Sequence, residues 1–251
     1  MTIYAVGDIH GQSDMLRTAL DLLRIFISPA DTVVFLGDYI DRGPDSRGVI
    51  NIIRAFSGDH PDTITLRGNH EQMMLDCLGE DAYSSEGNWR DNGGIATLQS
   101  FGAHTADWQP LIDPDAIDFL QATQMEHAAP GYRFVHAGFA PACNPHWGER
   151  RLGASIDPRL WIRDDFIGSP ENFGGIVVFG HTVQPTGLPL VMPNKIGIDT
   201  GATFGPRIAG GGRLTVLACP SVPQGTSCDT KTLRYFQVNE AGQVHFPRLC
   251  A

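Results

Sequence analysis

Short apolar runs that end abruptly in polar or glycine positions set the rhythm of this chain. Ile3-Tyr-Ala-Val6, Thr32-Val-Val-Phe-Leu36, Thr63-Ile-Thr-Leu66 and Tyr132-Arg-Phe-Val135 have the length and the β-branched or aromatic content of buried strands. After the first run, Leu16, Ala19, Leu20 and Leu23 recur at i, i+3, i+4 and i+7, which predicts a helix capped by Ser13 and stopped at Ser28-Pro29. The unit repeats: strand 32–36, loop 37–45, Ser46 as cap, then Val49, Ile50, Ile53 and Phe56 on one helical face. A third strand over 63–66 leads into a helix through Met73, Met74 and Cys77. Alternating strands and helices predict an α/β fold.

Residues 79–130 break the alternation. They are rich in Gly, Asp, Ser and Gln, with helical stretches near 92–101 and 114–124, the second opened by Asp113-Pro114 as cap and first-turn proline. This segment reads as a helical insertion over the site, with Trp89, Gly93, Gly94 and Leu98 placed for core packing or substrate contact. From 131 onward strands dominate, at 132–135, 176–179, 195–198, 213–218 and 233–238, so the second half is expected to form a second sheet packed on the first. The segments 205–212 and 220–230 read as loops too short to separate domains, and residues 1–251 are expected to form one domain.

Composition narrows the chemistry. Eighteen Lys+Arg against 28 Asp+Glu, net −10, argue against a broad nucleic-acid-binding face. Five cysteines without CxxC spacing suggest neither a disulfide framework nor a thiolate zinc site, and they read as inert free thiols. The first strand begins at Thr2 and no apolar run approaches the ~20 residues of a membrane helix. The expectation is a cytoplasmic monomer without membrane or nucleic-acid partners.

What closes each strand carries the chemical signal. GDIHG at 7–11, GDYIDRGPDS at 37–46, RGNHE at 67–71 and VHAG at 135–138 put carboxylate, amide and imidazole groups at strand C-terminal ends, where open α/β sheets place their sites. Oxygen and nitrogen donors without thiolate suit a pair of divalent ions: manganese first, with iron, zinc or nickel as alternatives. Asp8 and His10 lie two residues apart and can chelate one ion. Asp38 has two oxygens and could bridge to a second, completed by Asn69, His136 and His181, the last in Gly180-His-Thr182 after the strand 176–179. Two ions ~3.5–4 Å apart would hold a bridging hydroxide and clamp phosphoryl oxygens for in-line attack. His70 could protonate the leaving group with Asp41 orienting it, and Arg42 and Arg163 are the candidates for the phosphate oxygens. Arg67 fits either phosphate contact or a structural salt bridge, and Arg163 could instead pair with Asp164 and Asp165. Each motif alone has an ordinary reading as a turn, a cap or a core histidine; their joint occurrence behind strands favours the site.

With GDIHG, GDYIDRG, RGNHE, VHAG and FGHT in order over 7–182, and IGIDTGA at 196–202, the chain resembles the phosphoprotein phosphatase family within the calcineurin-like metallophosphoesterases, and most its compact bacterial and phage members. The resemblance implies a two-sheet αββα sandwich with a dinuclear centre at Asp8, His10, Asp38, Asn69, His136 and His181, a His70–Asp41 dyad and phosphate-binding arginines at Arg42 and Arg163. It implies hydrolysis of phosphoserine or phosphothreonine in proteins, with phosphotyrosine and aryl phosphates as further substrates. The alternatives are symmetrical dinucleoside tetraphosphate hydrolysis, against which Glu71 speaks because those enzymes tend to carry Asp there, and a non-catalytic metal- or phosphate-binding module. The sequence shows no counterpart of the SAPNYC-type loop of the eukaryotic enzymes, so their protein-substrate specificity and toxin sensitivity are not expected to carry over. The net charge predicts a preference for phosphopeptides with basic flanks.

Overall fold

A computed structural model describes residues 1–79, 82–103, 107–148, 156–222, 230 and 233–246. Strand β1 (Thr2–Val6) pairs in parallel with β2 (Thr32–Phe35), and β2 with β3 (Thr63–Thr65). The crossovers are α1 (Ser13–Phe26) and α2 (Ser46–Asp59). Their predicted faces, Leu16, Leu20 and Leu23 with Val49, Ile50 and Ile53, pack on Val6, Val33 and Phe35. Burying each such side chain stabilises by about 1.5–3 kcal/mol, which outweighs the weak strand ladder of so short a β3. The caps differ from expectation. Gln12 precedes α1 without a side-chain cap bond, and Asp45 rather than Ser46 caps α2 by accepting from the Gly48 N–H at 2.8 Å. Ser46 is occupied elsewhere: its Oγ accepts from the Asp41 N–H.

The chain then runs through α3 (Asn69–Asp76), α4 (Ala82–Trp89), a π-helical turn over Arg90–Gly94 kinked at Gly93 (φ 109°), α5 (Ile95–Ser100) and α6 (Pro114–Gln121). Asp113 caps α6 and Pro114 occupies its first turn, as the sequence predicts. Trp89, Leu98, Trp108 and Leu120 join the same core as α1 and α2, so the insertion is packed into the fold. Its last residues are not helical. β4 (Glu126–Ala129) pairs antiparallel with β5 (Tyr132–Val135) around Gly131 (φ 82°).

Two short helices follow, α7 (Pro158–Trp161) and α8 (Asp164–Ile167), then β6 (Ile176–Phe179), β7 (Leu190–Val191) and β8 (Lys195–Gly197). The second sheet has the order β4-β5-β6-β8-β7, with β5, β6 and β8 mutually parallel. One expectation fails here. β9 (Arg213–Pro220), β10 (Arg234–Asn239) and β11 (Val244–His245) do not join that sheet; β9 pairs antiparallel with the free edge of β1, giving β11-β10-β9-β1-β2-β3. An apolar strand pattern states that both faces are buried but not which edge the strand covers.

Ile3, Ala5, Val34 and Leu217 of the first sheet meet Tyr132, Phe134, Val178 and Ile196 of the second in one core. Val135, Val177 and Phe179 pack outward on Ile162 and Phe166 of the α7–α8 segment. The result is the expected αββα sandwich. β1, β2 and β3 in one sheet and β5, β6 and β8 in the other each run parallel, and the loops behind their C-terminal ends carry the candidate residues. Among the described residues no helix is long and apolar enough to cross a membrane.

Candidate metal centre

The loops after β1 and β2 are tied by backbone: Ile9 and His10 N–H groups donate to Asp38 O (3.0 and 2.8 Å), and Gly11 N–H donates to Tyr39 O (2.8 Å). So close an approach requires glycine at 43, where a Cβ would stand 1.9 Å from His10 O. Among the described residues, the non-glycine positions with positive φ are His10 (46°), Asp38 (53°), Asp41 (71°), Arg42 (66°) and His181 (60°). All five are sequence-predicted site residues. Left-handed backbone at a residue with a Cβ costs about 1–3 kcal/mol, and it persists where the surroundings over-determine it. Glu71 is one such constraint on Asp38. Fully buried, it accepts from the N–H groups of Asp38, Tyr39 and Gly68, each at 2.8 Å.

The six expected ligands converge. Ile40 O and Leu36 O each accept from a histidine Nδ1, of His10 and His136 respectively, at 2.9 Å, which leaves both Nε2 lone pairs turned inward. Asp38 stands between them, with Oδ2 3.4 Å from His10 Nε2 and Oδ1 3.4 Å from His136 Nε2. Asn69 Oδ1 lies 3.0 Å from His136 Nε2 and 2.8 Å from His181 Nδ1. Asp8 accepts from the His181 N–H through Oδ2 at 2.9 Å, while its buried Oδ1 has no protein partner.

Electrostatics agree with a cation site. Burial pushes the imidazoles of His10, His136 and His181 below the ordinary histidine range, so they present lone pairs. Burial would raise the Asp38 carboxyl, but His136, His70, His10 and His181 outweigh it and hold it well below the carboxylate range. Asp8 is pushed up by burial, then by Asp199 and Asp38. Neutral imidazole nitrogens, amide oxygen and carboxylates facing one another repel unless a cation lies among them. The residues present therefore fit divalent metal: two clusters share Asp38, one with His10 and His70 and the other with His136 and His181.

Beside this centre, His70 Nδ1 lies 2.7 Å from Asp41 Oδ2, both fully buried, and His70 Nε2 has no protein partner. Burial would lower the His70 pKa, but Asp38 and the Asp41 hydrogen bond raise it above the ordinary value. The two arginines are exposed at the rim. Arg42 Nη1 donates to His10 Nε2 at 2.6 Å with its Cζ 5.8 Å from the Phe204 ring centre. Arg163 Nη1 donates to His181 O at 2.8 Å rather than turning to its acidic neighbours. Arg67 is structural by a route other than a salt bridge: it donates to Gln121 O, Thr123 Oγ1 and Gln72 Oε1.

Four site neighbours escape sequence reasoning in the role they play. Asp199, after β8, is buried and raised to about 6 by burial and Asp38; an aspartate closing a buried strand is the signal that was there to find. Thr97 and Ser46 hold the Asp41 backbone, and Trp89, expected in the core, is there but also donates its indole N–H to the Asp41 carboxylate.

This two-sheet fold with a histidine–carboxylate centre at its strand ends is that of a metal-dependent phosphoesterase. The calcineurin-like phosphoesterase family matches residues 1–196, and the chain belongs to it. It is 32% identical over 206 residues to serine/threonine-protein phosphatase 1 of Salmonella typhimurium strain LT2, covering 81% of this chain and 88% of that protein. It is also 31% identical over 153 residues to the symmetrical bis(5'-nucleosyl)-tetraphosphatase of Methylococcus capsulatus strain Bath, covering 61% of this chain and 49% of that protein. In fold it is similar to a cold-active protein-tyrosine phosphatase of a Shewanella species, with a TM-score of 0.58, 18% identity, and coverage of 98% of this chain and 80% of that one.

Proposed function

We propose that the protein is a phosphomonoesterase acting on phosphoserine and phosphothreonine in proteins, with phosphotyrosine as a further substrate. The observation that carries the reading is the buried His70–Asp41 pair, with an unengaged Nε2, set beside a lone-pair-rich centre rimmed by two exposed arginines. Asp8, His10 and Asp38 would hold one divalent ion, and Asp38, Asn69, His136 and His181 a second, manganese being the first choice. When bound, such ions supply a hydrolytic nucleophile from water and neutralise charge on the phosphoryl oxygens. The chain's own groups do the rest. Arg42 and Arg163 bind the non-bridging oxygens, their forks matching phosphate geometry. His70 gives the proton on Nε2 to the departing oxygen, and Asp41 holds the ring through Nδ1 and favours the protonated imidazole that can give it.

Substrate choice is supported by the relatives: the phosphatase match spans most of both chains, whereas the tetraphosphatase match spans 49% of that enzyme. Glu71 bears on the question only indirectly. Its carboxylate is taken up by backbone N–H groups, so a shorter side chain there would shift Asp38 rather than remove a substrate contact. Dinucleoside tetraphosphate hydrolysis is the second reading, favoured by that 31% identity over 153 residues. Metal-loaded protein assayed side by side on a phosphoserine peptide, p-nitrophenyl phosphate and diadenosine tetraphosphate separates them. The peptide is expected to be turned over with the highest kcat/KM. Preferred turnover of the dinucleotide would overturn the substrate reading, and no turnover of any of the three would leave a binding module.

A further inference from the structure

We propose that Trp89 and Thr97, both from the insertion, are positioning residues for leaving-group protonation, acting through Asp41. The inference rests on the assignment of His70 as proton donor and extends it to the element that keeps the donor in place. Asp41 sits at φ 71° and its side chain is fully buried, so its carboxylate is oriented by protein groups and not by solvent. Trp89 Nε1 reaches both oxygens, Oδ2 at 2.9 Å and Oδ1 at 3.1 Å. Thr97 Oγ1 donates to Oδ1 at 2.6 Å and accepts from the Asp41 N–H at 2.9 Å. His70 takes the remaining direction on Oδ2 at 2.7 Å. With a donor on Oδ1 and one spanning both oxygens, the carboxylate plane is set, and so is the plane in which the His70 ring stands.

Trp89 and Thr97 are themselves fully buried, and neither touches another candidate site residue through an interaction described for it. The indole packs close against the chain at Gly94, where a Cβ would stand 2.6 Å from its ring. One residue earlier, Gly93 O accepts from the Arg42 N–H at 3.2 Å. The insertion thus holds the 41–42 turn by backbone and side chain together. A group that only packed the core would need neither the indole N–H nor the threonine hydroxyl.

The test compares Trp89→Phe, Thr97→Val and Thr97→Ser with His70→Asn in the metal-loaded protein, on phenyl phosphate, whose leaving group needs a proton, and on 2,4-dinitrophenyl phosphate, whose leaving group does not. Trp89→Phe and Thr97→Val are expected to lower kcat on phenyl phosphate by ~10–100-fold, part of the general-acid contribution, and on the dinitrophenyl ester by less than about threefold. KM and bound metal should be unchanged, and Thr97→Ser should keep the phenyl phosphate rate. Equal losses on both esters, or no loss with phenyl phosphate, would overturn the proposal. If His70→Asn is itself indifferent to the leaving group, the proton-donor assignment falls and this inference with it; if only the Trp89 and Thr97 variants are indifferent, this inference alone falls. Thr97→Val keeps the side-chain shape, so the test survives a Trp89→Phe chain that fails to fold.

Discussion

Arg42 offers a direct measure of how much strain the site stores. Its φ is 66°, its N–H is held by Gly93 O, and, unlike the other four left-handed site residues, its side chain is exposed. Arg42→Ala and Arg42→Gly both delete the guanidinium with its contacts to His10 and Phe204, so their difference isolates the backbone. A Cβ in the left-handed region costs roughly 1–2 kcal/mol. Glycine escapes that cost but gives up about 0.5–1 kcal/mol through its freer unfolded chain. The glycine variant should therefore be the more stable by about 0.5–1 kcal/mol, the reverse of the order at an ordinary position. For a chain of this size that corresponds to a Tm difference of ~1–4 °C. Thermal and urea melts of both variants in chelator measure it, and an alanine variant as stable as the glycine one would refute the strained-turn reasoning. Both should lose phosphate binding alike, with kcat/KM down about 10–100-fold for a lost charge-assisted contact.

His70→Asn should retain metal and lose ~10²–10⁴ in kcat on a substrate with a poor leaving group; full activity there would exclude its role as proton donor. In Gly180→Ala the new Cβ would stand 2.0 Å from Asp8 Oδ1, so metal affinity by calorimetric titration should fall ~10–100-fold, and unaltered affinity would argue against Asp8 as a ligand. Asp31 accepts from Thr2 N–H (2.5 Å), Ser28 N–H (2.9 Å) and Ser28 Oγ (2.8 Å); although burial opposes them, these donors hold its pKa below the ordinary carboxylate value. A depressed folded pKa gives stability that is present above the unfolded value and lost as pH falls through the folded one. Asp31→Asn should accordingly cost about 1 kcal/mol in urea melts at neutral pH, with the gap to the parent closing in acid; a gap independent of pH would contradict this.

Much of the site is legible along the chain because its chemistry is local. Each candidate ligand follows a short apolar strand, and an Asp, Asn or His at that position is visible without knowing what the strand pairs with. Asp8, His10, Asp38, Asn69, His70, His136 and His181 stand out as candidates this way, and the fold brings them together. Helix faces such as Leu16, Leu20 and Leu23 were equally plain, since a 3.6-residue period needs no tertiary partner. Cap positions were less so: Ser46 looks like a cap, yet its hydroxyl accepts from Asp41 while Asp45 does the capping.

Tertiary structure decided what depends on closing long loops. The sequence determined the ligand types and the alternation of strand and helix that carries them; it did not determine that β9 returns to β1, because both edges of β1 are equivalent to a local pattern. Nor did it determine that Trp89 and Thr97, 48 and 56 residues away, would hold the Asp41 carboxylate. The left-handed turns at His10, Asp38, Asp41, Arg42 and His181 belong to the same class. No residue there advertises positive φ as glycine would; the conformation exists because hydrogen bonds donated to Glu71, Gly93 and the neighbouring loop outweigh its local cost, and those partners meet only in the folded protein.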